Sequence, residues 1–363
     1  MIQYVNLAEH RKNFPKSRES WWWYLDIYAQ EKAIKSHPWN RFDWFFRGVR
    51  GISVIGNIAI SLRLARLFFS STSEFLVAVA IVPFILSLFQ AQSELTETGK
   101  KGFDKLLEIF KIPQHFHEEA KLGFNLFITG FILVIWLSLP LIYNGYKLAG
   151  QQLQQKEKLA SAEEKYLQAI QLDDNNFDAH YKLATVYEEL QDLENAKKQY
   201  IIAIRGGFVD AYNNLAYWYI RENKNGEAVE LMNQGLQLLE EKERNFEGLT
   251  DEEKFNFQTQ KYGIFKKLGW ARFKQKRYDD SVAYLFPAIA IAKNSKYQKY
   301  IRNPGAVFCI YSQVLSKTNK PSSEVKENWQ QCRQLIVSRL AAGETIHSEE
   351  DGWLYEAKQQ LNK

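Results

Sequence analysis

The sequence predicts an all-α protein: N-terminal membrane-type helices, two or three of them spanning, followed by an α-solenoid of helix–turn–helix repeats. Two observations predict it. Uncharged apolar runs crowd between positions 51 and 143. Beyond them, small and large residues recur together at offsets of 34 and then 32 positions.

Residues 1–50 come first. They hold nine Lys/Arg against five Asp/Glu, and five of the ten Trp: Trp21, Trp22, Trp23, Trp39 and Trp44. The opening stretch is polar and has no apolar core or small-residue cleavage site, so it does not read as a secretory signal. Internal segments must then direct insertion. The run WWWYLDIY at 21–28, with Trp39, Phe42, Trp44, Phe45 and Phe46, fits an interfacial helical segment, because Trp and Tyr rings favour the headgroup level. A soluble cap over the next region fits equally.

Residues 51–143 form the transmembrane region. Residues 123–143 carry no charge over 21 positions, the length needed to cross a hydrocarbon core. Residues 75–91 are also uncharged and contain Pro83, which a membrane helix tolerates when neighbours satisfy the freed carbonyl. Neither has the polar face of a soluble helix. Residues 51–69 either span or lie in the interface: Arg63 and Arg66 occupy the second half, where long side chains can reach out of the apolar layer. Ser53, Asn57 and Ser61 recur every four residues, a stripe suited to close helix packing. Asn57, Arg63 and Arg66 are the intramembrane polar candidates. The turn at 70–74 has Ser71 and Glu74 at capping-box spacing. A loop, 92–122, precedes the last span. Three spans put the basic N-terminal flank and this lysine-rich loop on one side, and the repeats on the other. Two spans put the N-terminus and repeats together.

From residue 144 the pattern changes. Ala149, Leu183 and Leu215 correspond, as do Gly150, Ala184 and Ala216. So do Ala162, Ala196 and Ala228, then Tyr166, Tyr200 and Met232, then Ala169, Ala203 and Gly235. Leu268, Gly269, Tyr278, Ser281, Leu285 and Ala288 continue it. These residues resemble the tetratricopeptide repeat, a helix–turn–helix unit of about 34 residues. Small residues let paired helices approach, large ones fill the gap to the next unit, and no unit buries its face alone. The resemblance covers residues 144–295 well. It divides the rest into three units over 144–240, a further unit with degenerate capping helices over 241–336, and a helical tail over 337–363. Thr250 and Glu253 form a capping box that opens the fourth unit. Tyr146 follows the last span almost at once, with no flexible linker between.

Chemistry is sparse. The formal charge is +5, and the region beyond residue 143 is balanced at 31 against 30, which gives no basic face for nucleic acid. His115, His117, Glu118 and Glu119 lack the spacing of a metal site and read as a solvated loop. Asp173 and Asp174 are turn formers between repeats. Cys309 and Cys332 lack ligand spacing and read as buried, reduced helix residues. Neither a phosphate-binding loop nor a nucleophile elbow appears, so the chain reads as no enzyme, without metal or cofactor. The resemblance implies a groove lined by the first helix of each unit: Lys147, Gln151, Tyr181, Thr185, Asn213, Asn214, Tyr217 and Arg221. The expected function is a membrane-anchored adaptor that recruits a protein partner. The alternative is an oligomeric pore or channel subunit regulated by its repeats. Lipid, a protein partner and a second copy of the chain are the expected contacts.

Overall fold

The three apolar segments all lie in helices. The structure, a computed structural model, describes residues 42–69, 74–113, 116–245, 250–298, 300–318, 320–344, 346 and 348–362. The readings made on residues 1–41, on Ser71 and on His115 lie outside these, as does the side chain of Arg66. The chain divides into two units, Met1–Gly145 and Tyr146–Lys363.

In the first unit, α1 (Asp43–Phe69), α2 (Glu74–Leu95) and α3 (Glu97–Ile109) lead to the long α4 (His117–Gln155). Side-chain bonds fix their directions. Ser61 pairs with Ser87 at 2.9 Å and Asn57 donates to Gln90 at 3.1 Å, so α2 runs antiparallel to α1. Arg50 reaches Glu118 and Ser53 reaches Thr129 at 2.8 Å, so α4 runs parallel to α1. The stripe of Ser53, Asn57 and Ser61 therefore faces both partner helices. Segment 92–122, expected as a loop, is mostly helical. Thr96 caps α3 by accepting from the Gly99 N–H at 3.0 Å, and Phe103 and Leu107 bury one face of it. The Phe103 ring packs 5.3 Å from Phe124.

Polarity in this unit is inverted. Arg50, Asn57, Ser61, Ser87, Gln90 and Asn125 are buried, while Ile52, Ile55, Val82, Ile85, Phe127, Val134 and Leu141 are exposed. Ile52 and Leu141 are 77% and 76% exposed, as fully bared as surface lysines normally are. By length and composition, two helices could cross a membrane: α1 over Trp44–Ala65 and α4.

The second unit begins with the last turns of α4. Helices α5 (Leu159–Leu172), α6 (Phe177–Glu189), α7 (Leu193–Arg205), α8 (Val209–Arg221) and α9 (Asn225–Asn245) follow. Then come α10 (Asp251–Lys274), α11 (Tyr278–Lys293), the single turn α12 (Ser295–Gln298), α13 (Gly305–Leu315), α14 (Ser322–Ala341) and α15 (Ser348–Leu361). No strand occurs among the described residues. The recurring residues are the core: Ala162, Ala196, Ala228, Tyr166, Tyr200 and Met232 are all fully buried. Burial of one large side chain contributes roughly 1.5–3 kcal/mol.

The repeat is equally visible in the backbone. The first helix of each of the first four pairs ends in the same backbone bond. Lys158, Asp192, Lys224 and Arg277 donate to the carbonyls five residues back, at 2.8–2.9 Å. The residue before each of these, Glu157, Gln191, Asn223 and Lys276, has φ between 57° and 63°. This is the left-handed helix stop that frees the chain to turn back. Asn176 and Asp192 cap the next helices by accepting from N–H groups three residues on, and Thr250 and Glu253 form the capping box.

Two expectations are corrected here. Cys309 and Cys332 are not free thiols but form a disulfide, with Cα atoms 5.0 Å apart, joining α13 to α14. Their spacing along the chain carries no such signal, because the contact depends on how two helices pair. Residues 337–363 are not a tail. The stretch to Ala341 completes α14, and α15 packs back on the unit with Leu354 and Ala357 buried.

Candidate partner-binding face

The first helices of the pairs are the end of α4, then α6, α8, α10 and α13. Their side chains fall into three groups. At the first pair, Lys147 makes an ion pair with Asp178 at 2.8 Å and Gln151 is exposed. Thr185 accepts from Gln154 at 3.1 Å, and Gln154 also donates to Glu189 at 2.7 Å. These contacts staple the α4 end to α6.

The middle group is aromatic and polar. The Tyr181 ring stacks on Phe208 at 5.0 Å and lies 5.9 Å from Tyr200. Asn214 donates to the Tyr200 hydroxyl at 2.9 Å, and the Trp218 indole donates to Glu188. Burial pushes the Glu188 and Asp210 carboxyls upward, against the hydrogen bonds they accept from Trp218 and Gln260. Burial pushes the Tyr181 hydroxyl up to about 12. Asn213 differs from its neighbour: it is buried, and its amide lies against the backbone of Gly263. It locks α8 to α10 rather than facing outward.

At the third group the chain has covered its own surface. Tyr217 donates to Glu349 at 2.8 Å, and Arg221 makes an ion pair with the same carboxylate. The Arg221 guanidinium also sits 5.9 Å from the centres of the Tyr217 and Trp218 rings. Trp353 of α15 meets Trp270 edge-on at 5.9 Å. Of the eight expected face residues, Tyr217 and Arg221 are therefore engaged by a helix about 130 residues away.

Beside this seal lie two lysines that the sequence reading did not single out. Lys266 and Lys267 follow one another on α10, and Lys266 sits 5.1 Å from the centre of the Tyr262 ring. Tyr262 bonds the Asn303 carbonyl, which holds the neighbouring Arg302 to this end of the face. Among the described residues, none of these three cations makes an ion pair. Burial lowers Lys266 to about 8 and Lys267 to about 7; the positive charge of Lys266 also lowers Lys267, while Glu188 and Asp210 oppose the shift. A signal for them existed. The register that aligns Leu268 with Leu215 also aligns Lys266 and Lys267 with Asn213 and Asn214.

A tetratricopeptide-repeat family profile matches residues 150–191. Those residues are a tetratricopeptide repeat. Repeats of this family mediate protein–protein interaction. The adjoining helix pairs continue it, with the same buried positions and the same left-handed stops. Among solved structures, PilF of Pseudomonas aeruginosa is similar at 14% identity, over 62% of this chain and 89% of its own, with a TM-score of 0.43. PilW, described as a widely conserved type IV pilus biogenesis factor, aligns at 13% identity over 61% and 86%, with a TM-score of 0.44. Yeast Tom70 aligns at 12% identity over 85% of this chain and 64% of its own, with a TM-score of 0.38. No curated protein sequence gives a significant match.

In the first unit, Asn57 is buried between α2 and α4, donating to Gln90 and Thr129. Arg63 is exposed. The buried cation is Arg50, which the sequence reading placed in a flank; it is bound to the Glu118 carboxylate at 2.7 Å and to the Glu118 carbonyl at 2.9 Å. His117 bonds the Ile112 carbonyl at 3.1 Å, and no group of metal-binding side chains occurs among the described residues.

Proposed function

We propose that the protein is a membrane-anchored adaptor whose tetratricopeptide array recruits a protein partner bearing an acidic segment. The observation that carries the recruitment is the unpaired cation cluster on the first-helix face. Lys266 and Lys267, half-buried on α10, and the exposed Arg302 have no carboxylate within ion-pair distance among the described residues, and Lys266 sits over the buried Tyr262 ring. A desolvated cation without a counter-ion is unfavourable, and a partner carboxylate would relieve it. The inverted polarity of the first unit supports the anchor: exposed Ile, Leu, Val and Phe around a buried polar seam suit lipid, and in water would form an apolar patch. The alternative, a conducting bundle, needs polar groups lining an open path. Here Asn57 and Gln90, and Ser61 and Ser87, bond each other across the helix contacts, which supports packing instead.

The test uses the full chain in lipid nanodiscs, with a fluorescein-labelled Asp/Glu-rich decapeptide as probe. The double variant Lys266→Ala, Lys267→Ala is expected to weaken binding roughly tenfold or more, the worth of one charge-assisted hydrogen bond. Equal binding by wild type and variant would overturn the assignment of the face. Release of the chain from membranes by alkaline carbonate would overturn the anchor.

A further inference from the structure

We infer that the repeat unit lies on the oxidising, extracytoplasmic side of its membrane, so that its partner is an exported protein or the exposed segment of one. The inference rests on the membrane reading above and on two observations independent of each other.

The first is the direction of the bundle. Arg50 grips Glu118, and Asn125 donates to the Arg50 carbonyl at 3.4 Å, so the start of the apolar part of α1 and the start of α4 meet at one end. Ser61–Ser87 and Asn57–Gln90 make α2 the return stroke. If embedded, the bundle therefore crosses three times, and the chain leaves α4 at the end opposite Glu118. Basic residues are distributed unequally between those ends. Arg47, Arg50, Lys100, Lys101, Lys105, Lys111 and Lys121 flank the Glu118 end; Arg63, Arg66, Lys147, Lys156 and Lys158 flank the other. Lys and Arg in short flanks are retained on the cytoplasmic side, and acidic residues have little influence. The Glu118 end is then cytoplasmic, and the residues after α4 are not.

The second observation is the fate of the cysteines. The chain has two, both in the repeat unit, and both are consumed in one bridge that is buried on either side. Structural disulfides persist in the periplasm, the secretory lumen and outside the cell, and are kept reduced in the cytosol. Charge bias and cysteine pairing arise from unrelated physics in different units, yet they assign the repeats to the same side.

The experiment uses the full chain in sealed native membranes. Protease is added to right-side-out and to inverted vesicles, with an antibody to the C-terminal residues as readout. In parallel, thiols are trapped with acid, denatured and treated with a maleimide–polyethylene glycol, with and without prior reduction. The expected result is loss of the C-terminal epitope only in right-side-out vesicles, and a mass shift by two adducts only after reduction. Digestion only in inverted vesicles, or adducts without reduction, would overturn the inference while leaving the anchor intact. Carbonate extraction separates the two: release of the chain would overturn the anchor itself, and sidedness with it.

Discussion

Lys267 lies beside Lys266 on α10, opposite acids that stop short of an ion pair, and its protonation is coupled to folding. When folded it gives up its proton near pH 7, against about 10.5 when unfolded. Between those values the unfolded chain holds more protons, so stability rises with pH across that window, and the full penalty is present below it. Lys266 adds the same slope from about pH 8 upward. The carboxylates facing them temper this, Glu188 and Asp210 around Lys267 and Glu350 beside Lys266, while the positive charges of Arg339 near Lys266 and Arg302 near both deepen it. Replacing Lys267 with Met, which keeps the stem and drops the charge, is expected to raise the midpoint of urea unfolding at neutral pH and to flatten its dependence between about pH 7 and 10. A slope as steep as wild type would place Lys267 in water. Much of this site was legible in the sequence. The repeat register put Tyr181, Asn214 and Tyr217 on first helices, and one further step along it reaches both lysines. What the register could not reveal is that Glu349 closes over Tyr217 and Arg221, or that Cys309 meets Cys332. Those contacts join segments whose spacing has no period.

At the scale of the element, the repeat was readable because each helix pair solves the same packing problem with the same residues. The glycine of the first helix shows how tight the solution is. A Cβ at Gly150 would stand 2.8 Å from the Tyr166 ring, and one at Gly269 would stand 2.5 Å from Leu285 and 3.3 Å from the Ser281 carbonyl. Ser281 also donates its hydroxyl to the Gly269 carbonyl at 2.8 Å, which pins the two helices at that separation. On propensity alone, Gly to Ala within a helix stabilises by about 1 kcal/mol. Here the added methyl must push α11 away from α10, and overpacking of this kind costs roughly 1–3 kcal/mol. Gly269→Ala is therefore expected to lower the unfolding free energy, and calorimetry checks the sign. A gain in stability would mean that α10 and α11 are less closely held than their contacts indicate. The segment expected as a loop, 92–122, was harder to read for the opposite reason. Its helix α3 has two buried residues, Phe103 and Leu107, too few to stand out as a period before the neighbouring apolar helices are known.

For the repeat unit as a whole, the governing fact is that a stack of repeats has no single centre. Each pair touches only its neighbours, so stability is close to a sum of local terms, and a perturbation at one end should stay there. Two features work against fraying at the C-terminal end. The disulfide closes a loop with a sequence separation of 23. Helix α15 lays Trp353 on Trp270 and Glu349 on Tyr217 and Arg221, reaching back past the last pair to α10 and α8. Loop closure of that length is worth about 3 kcal/mol in chain entropy. Reduction is therefore expected to remove that amount from the last pair while leaving the first repeats nearly as they were. Hydrogen exchange locates the loss. Residues 305–341 and 348–361 should exchange faster after reduction, and residues 159–205 should not. Uniform acceleration across the unit would mean that α15 couples the end of the stack to its beginning, making the array one cooperative body. Exchange confined to 305–341, with 348–361 still protected, would mean that the aromatic and ionic contacts of α15 hold it on α8 and α10 without the bridge. Because α15 is also what covers Tyr217 and Arg221, that second outcome would leave those two residues sealed whatever the redox state, and confine partner binding to the cation cluster and the aromatic middle of the face.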